Sequence, residues 1–230
     1  RPDPYSFRAW IPGCATGEEA YTLAILLRES AEQVGRHFDY QIFGTDLDAA
    51  AIETARAGVY PEGVAVDVTG PRLERYFTRE DSTYHVRKEL REMCVFAPQN
   101  VIRDPPFTKL DLICCRNLLI YLDADMQQRV LPIFHYALKP GGVLMLGPSE
   151  TIGTKQDLFD PVDGKWKIFT RKEPLGGAPL PEVPAQRVSS GAKPKPGETA
   201  AALPTGQESQ IETMVKRMLL SRFAPASIVV

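Results

Sequence analysis

No stretch of this sequence comes near the roughly 18 consecutive apolar residues of a membrane span. Its formal charge of −2 leaves no broad basic footprint for nucleic acid. Cysteine is scarce: Cys14, Cys94, Cys114 and Cys115 show no paired metal-ligand spacing, which suits a reducing compartment better than a disulfide framework. His37, His85 and His135 form no metal motif, and no Gly-Lys-Ser/Thr is present to grip a triphosphate. Nothing at the start resembles a signal peptide. A cytoplasmic chain with neither metal nor nucleic acid is therefore expected. What is present is apolar substance: 43% of the 230 residues are hydrophobic and 24% are charged, enough for one core with appendages.

The first apolar run, Phe7 to Ile11, empties into Pro12, Gly13, Cys14, Ala15, Thr16, Gly17, Glu18 and Glu19. A buried strand feeding a glycine-bounded turn and then a helix is where open α/β sheets hold nucleotide-like ligands. Gly13 and Gly17 remove side chains where backbone must approach a ligand, and a helix starting near Glu18 aims free N–H groups at the same spot. Two carboxylates after the second glycine repel phosphate and suit a cationic or hydroxyl-bearing ligand. Thr16 with Glu19 three residues later is equally a helix capping box, and the turn alone does not decide between the two. The next strand, Tyr40 to Thr45, ends at Asp46, the position that accepts ribose hydroxyls in such sheets. Asp48 is then the expected N-cap of a helix over Ala49 to Ala57.

The helix from Glu18 to Gln33 carries Tyr21, Leu23, Ala24, Leu26 and Leu27 on one face, as core. Residues 60–92 break into short pieces, with a helical stretch near Arg72 to Phe77 and a strand over Thr83 to Val86, and read as a small inserted subdomain. Strands resume at Met93 to Ala97, leading to Gln99 and Asn100, and at Leu110 to Cys115, a continuous apolar run of the buried parallel kind. Asp123 caps a helix over Ala124 to Leu138 that Pro132 should kink. The run Leu138-Lys-Pro-Gly-Gly142 should stop that helix and turn into a strand over Val143 to Gly147, and a last strand over Trp166 to Thr170 closes the domain. Alternating strands and helices predict an α/β fold on a mainly parallel sheet.

The segments Gly13-Cys-Ala-Thr-Gly-Glu-Glu-Ala-Tyr21, Gly44-Thr-Asp-Leu-Asp48, Ala55-Arg-Ala-Gly-Val-Tyr60, Cys115-Arg-Asn-Leu-Leu-Ile-Tyr121 and Leu138-Lys-Pro-Gly-Gly142 resemble the chemotaxis receptor methyltransferases of the CheR type, in order, from about Phe7 to Lys172. The resemblance is closest to the CheR domain of CheB/CheR fusion proteins, through Phe96-Ala-Pro-Gln-Asn100, Asp104-Pro-Pro-Phe107, Phe134-His-Tyr-Ala-Leu138 and Leu146-Gly-Pro-Ser-Glu150. It implies a Rossmann-like class I methyltransferase sheet with helices on both faces, S-adenosyl-L-methionine as cofactor and S-adenosyl-L-homocysteine as product, and esterification of glutamate side chains of chemoreceptor-like signalling proteins. It also implies a cofactor-binding set of Gly13, Cys14, Glu19, Asp46, Asn100, Val101, Cys115 and Arg116, with Glu19 and Asp46 on the methionine or ribose side. Tyr121 would sit beside the transferred methyl, and Arg116 and Tyr121 would be the catalytic pair that holds the incoming carboxylate. Arg116 as a loop clamp and Tyr121 as a plain half-buried aromatic are the alternatives. The family's leading helical domain, which lends an arginine to the cofactor, is expected to be absent. The stretch Thr78-Arg-Glu-Asp-Ser-Thr-Tyr84 lacks the glycine-containing loop with which some members bind a receptor tail.

Residues 173–207 are dense in Pro, Gly, Ala and Ser and read as a flexible linker. Within 208–230, Ile211, Met214, Val215, Met218 and Leu219 recur at helical spacing, for packing on a neighbour or for dimerisation. Ala224-Pro-Ala-Ser-Ile-Val-Val230 resembles the opening of a PAS domain, so attached PAS or kinase-type domains are expected. Two functions stay in view: a protein-glutamate O-methyltransferase, and a catalytically weak cofactor-sensing module of a multidomain signalling protein.

Overall fold

In the computed structural model, whose described residues are 5–173, 213 and 215–219, a seven-stranded sheet runs in the order β6-β2-β1-β7-β8-β10-β9. Its strands are β1 (Ser6–Pro12), β2 (Asp39–Asp46), β6 (Cys94–Pro98), β7 (Leu110–Cys115), β8 (Leu138–Leu146), β9 (Phe159–Asp163) and β10 (Ile168–Arg171). The five from β6 to β8 are parallel, and β10 lies antiparallel to both β8 and β9. The chain runs outward through β2 and β6 on one side of β1, then returns to build β7 and β8 on the other. Carboxyl ends diverge at that reversal and open the crevice where such sheets bind ligands.

Alternation along the strands sends side chains to two cores. Phe7, Ala9 and Ile11 of β1, Leu112 and Cys114 of β7, and Val143 and Met145 of β8 face the helices α1 (Glu18–Val34) and α2 (Ala49–Ala57). Trp10, Ile113, Cys115, Leu144 and Leu146 face α6 (Ala124–Ala137) on the other side. All six residues of β7 are buried. Each large apolar side chain so buried contributes about 1.5–3 kcal/mol, and a slip of one residue would exchange the two faces, so the register is firmly set.

Between α2 and β6 lie α3 (Val64–Asp67), α4 (Gly70–Tyr76), α5 (Lys88–Arg91) and a three-stranded antiparallel sheet, β3 (Val59–Pro61), β5 (Thr83–Val86) and β4 (Phe77–Glu80). Tyr60 Oη donates to the Thr16 carbonyl at 2.8 Å, which straps this small sheet to the turn after β1.

Two expectations are corrected. The Lys-Pro-Gly-Gly run does not separate α6 from β8. Leu110 pairs with Leu138 and Leu112 with Val143, so residues 139–142 bulge out of a strand that has already begun, with Gly141 at φ 72°. A Cβ on Gly142 would lie 2.8 Å from the Lys139 carbonyl oxygen, so the glycine is required by close backbone approach. The last strand begins at Ile168 rather than Trp166, after a turn in which Lys167 takes φ 53°. Before it comes β9, unanticipated because Pro161 and its mostly exposed residues mask a strand at the sheet edge. Helix α6 continues through Pro132.

The linker expected over 173–207 lies outside the described residues but for Glu173, and the PAS-like opening at 224–230 lies wholly outside them. Of the amphipathic segment, Val215, Met218 and Leu219 are buried in the same core as α1.

Candidate functional site

The turn after β1 is fixed by its neighbours. The Gly13 and Cys14 N–H groups both donate to the Thr45 carbonyl, at 2.7 and 3.0 Å, and the Ala15 N–H donates to Asp46 Oδ2 at 2.9 Å. Gly13 and Gly17 have φ of 72° and 93°, where an L side chain is strained. At Gly17 a Cβ would also stand 2.7 Å from Ala55 Cβ, so glycine lets α1 start hard against α2. The capping box is not formed: Thr16 Oγ1 donates to Glu18, and no side chain caps α1. Glu19 is thereby left to point elsewhere. Asp48 does cap α2, accepting from the Ala50 and Ala51 N–H groups.

Two clusters flank this turn. One is a cavity of about 330 Å³ at the carboxyl ends of β1, β2 and β6. Gly13, Asp46, Asn100 and Val101, all expected, line it together with Leu47, Gln99, Leu118, Leu122, Met126 and Arg129. Asp46 accepts from the Ala15 and Asp48 N–H groups, one on each oxygen, and each oxygen keeps a lone pair for a ligand hydroxyl. Asn100 Oδ1 accepts from the Ile102 and Arg103 N–H groups, and the Asn100 N–H donates to Asp104 Oδ2 at 2.7 Å. That loop hardens into a wall of the cavity.

The second cluster lies where α1 starts and β7 ends. Cys114 Sγ donates to Glu19 Oε1 at 2.8 Å. Burial raises the Glu19 carboxyl above its ordinary range, while the Cys114 hydrogen bond and the nearby Arg116 guanidinium pull it down. A partly desolvated carboxylate held beside one cation is suited to receive a second one. The thiols are inert here: burial pushes Cys14 up to about 12 and raises Cys114 and Cys115 well above the usual range, so none forms a nucleophilic thiolate near neutral pH.

The expected residues thus divide. Gly13, Asp46, Asn100 and Val101 meet in the cavity, whereas Glu19 bonds to Cys114 and lies within electrostatic reach of Arg116. Cys14 and Cys115 are core residues, and only their backbone is left to meet a ligand. Tyr121 is 80% exposed at the end of the 3-10 turn Leu119–Tyr121, which is not the half-buried aromatic of the alternative reading. Leu118, Leu122, Met126 and Arg129 went unanticipated as lining. Their signal is positional, since a segment leaving β7 at the crevice and the first turns of α6 necessarily border it. Among the described residues no cluster of His, Cys, Asp and Glu could hold a metal, and no helix is long and apolar enough to cross a membrane.

Residues 3–168 match the family profile of the CheR methyltransferase, SAM binding domain. The chain is 45% identical over 175 residues to a 104.1 kDa protein of Rhodobacter capsulatus encoded in the hypE 3′ region, a match covering 76% of this chain and 18% of that one. It is 34% identical over 154 residues to the chemotaxis protein methyltransferase of Borreliella burgdorferi, covering 66% of this chain and 54% of that one. To the chemotaxis protein methyltransferase of Escherichia coli it is 36% identical over 163 residues, covering 66% and 55%. The chain spans about half the length of these two methyltransferases.

Proposed function

The chain belongs to the CheR methyltransferase family, and from that membership and the two clusters beside the 13–17 turn we propose that it esterifies glutamate side chains of chemoreceptor-like signalling proteins in the cytoplasm, using S-adenosylmethionine. The observation that carries the site reading is Glu19, released from any capping role and held, partly desolvated, at the start of α1.

The residues fit that cofactor. The cavity offers a carboxylate, Asp46, for ribose hydroxyls and apolar walls, Leu47, Val101 and Leu118, for a base. Glu19 is the partner for an ammonium group. Bound, S-adenosylmethionine supplies an electrophilic methyl group on a sulfonium. The acceptor carboxylate is already ionised at neutral pH, so the chain need supply no general base. Its task is alignment: Arg116 pairs with the incoming carboxylate and the Tyr121 hydroxyl donates to it. An O–C bond forms as the S–C bond breaks, with its electron pair passing to sulfur, and no proton moves. Labelled-methyl transfer from S-adenosylmethionine to a receptor cytoplasmic fragment should give base-labile methyl esters. Label that survives alkali would point instead to methylation on nitrogen.

A second reading is a catalytically weak, cofactor-sensing module attached to PAS or kinase-type domains. The 45% identity to a 104.1 kDa protein supports a multidomain setting, and the burial of Val215, Met218 and Leu219 supports a C-terminal segment tied to the sheet. Tyr121→Phe separates the readings, because it should lower methyl transfer while leaving cofactor-dependent output of a sensor intact.

A further inference from the structure

Glu150 has no contact role in the chemistry above, yet it is 4% exposed and near enough to Glu19 that its charge helps raise that carboxyl. A carboxylate so buried is costly unless its oxygens are satisfied. Its Oε1 accepts the Leu119 N–H at 2.8 Å and its Oε2 accepts the Gly147 N–H at 2.6 Å. Leu119 opens the 3-10 turn that ends at Tyr121, and Gly147 directly follows β8. One side chain therefore bolts the segment leaving β7 to the end of the neighbouring strand.

The packing leaves this bolt little play. A Cβ on Gly147 would sit 2.7 Å from Glu150 Oε2 and 3.3 Å from both N and Oδ1 of Asn117, whose own φ is 58°. From the opposite side Gln127 Nε2 donates to the carbonyls of Leu119 and Leu122, at 2.9 and 3.0 Å. The turn is thus gripped by its N–H end through Glu150 and by its C=O end through Gln127. Arg116 lies just before the gripped segment and Tyr121 within it.

We propose that Glu150 is a positioning residue for methyl transfer, with Gln127 as its counterpart: together they fix the backbone that presents Arg116 and Tyr121 to the acceptor carboxylate. The proposal rests on the reading of those two residues as the acceptor-holding pair. Glu150→Gln keeps shape and one acceptor oxygen but sets an NH2 against a backbone N–H, so one of the two bonds is lost.

The test uses the full chain, labelled S-adenosylmethionine, a glutamate-bearing receptor cytoplasmic fragment and S-adenosylhomocysteine. Glu150→Gln should lower kcat at least tenfold, weaken S-adenosylhomocysteine by a clearly smaller factor, since Leu118 and Leu122 beside the turn line the cofactor cavity, and speed amide exchange at Leu119 and Gly147 but not in α1. Gln127→Ala, which buries no new polar group, should give the same pattern more weakly and decides the matter if Glu150→Gln does not fold. Unchanged kcat in both variants while Tyr121→Phe and Arg116→Gln lose activity would overturn the proposal. So would a parallel loss of cofactor affinity, which marks a general structural role. If Tyr121→Phe and Arg116→Gln retain full activity, it is the acceptor-pair reading that fails, and unaltered exchange at Leu119 would separately show that no grip exists.

Discussion

On the side of the crevice built by β1, β2 and β6, the turn is bonded to its surroundings at Gly13, Cys14, Ala15 and Thr16, and its glycines stand against Ala55 and Leu118. On the side built by β7 and β8, the Arg116–Tyr121 segment is gripped at the backbone by Glu150 and Gln127, while Ile120 and Tyr121 are 49% and 80% exposed. The first half is shaped before any ligand arrives, as suits a small molecule of fixed form. The second offers rigid backbone and open side chains, as suits a protein surface that must come and go. Substitutions in the first half should therefore damage fold and binding together, and substitutions of the exposed side chains of the second should damage turnover alone.

The largest expected effect is at Gly17. Alanine there meets both the left-handed φ of 93° and a Cβ only 2.7 Å from Ala55 Cβ. The backbone term costs about 1–2 kcal/mol and the overpacking about 1–3 kcal/mol. Gly17→Ala should lower the thermal midpoint by roughly 5–15 °C and abolish S-adenosylhomocysteine binding, as read by calorimetry. A folded variant with native affinity would dissolve the claim that this half is pre-shaped.

Next comes Asp46. Each hydrogen bond proposed for it to a ligand hydroxyl would be worth about 1.5–3 kcal/mol, so Asp46→Ala should weaken cofactor binding by about 10–100-fold or more. It should also cost some stability, because the Ala15 and Asp48 N–H groups lose their acceptors. Tyr121→Phe should do the reverse: a roughly tenfold fall in kcat, from one lost hydrogen bond to a charged group, with thermal midpoint and cofactor affinity unmoved. A change in cofactor affinity at Tyr121 would blur the boundary between the halves.

The contrast also explains what could be read from sequence. The start of α2 and the ends of β7 fall where Asp48 and the apolar run 110–115 predict them, because caps and period are local signals. Glu19 could not be resolved that way, since a capping box and a ligand carboxylate share one local pattern. Only the approach of Cys114, 95 residues away, separates them. Leu118, Leu122 and Met126 escaped notice as cavity lining because their role depends on how the chain folds back after β7. Glu150 belonged to a recognisable motif, but its partner Leu119 lies 31 residues earlier, and no periodicity links them.

The finest test is a slope with pH, and its sign follows from Glu19. Burial raises this carboxyl in the folded, ligand-free protein, so the folded state keeps its proton to higher pH than the unfolded chain does. Between the ordinary glutamate range and the raised value, the native state binds more protons, and stability falls as pH rises through that window. Glu19→Gln removes this dependence, so the ligand-free variant should melt higher than the parent at neutral pH and lose that advantage in acid. Cofactor affinity should run the other way, because pairing with an ammonium group needs the ionised carboxylate. In the parent it should weaken as pH falls through the raised value, and in Glu19→Gln it should be weak and flat across the same range. Melting curves and calorimetric titrations over one pH series read both slopes. A parent whose stability rises through the window, or whose affinity ignores it, would move Glu19 out of the binding half and back among the ordinary residues of a helix start.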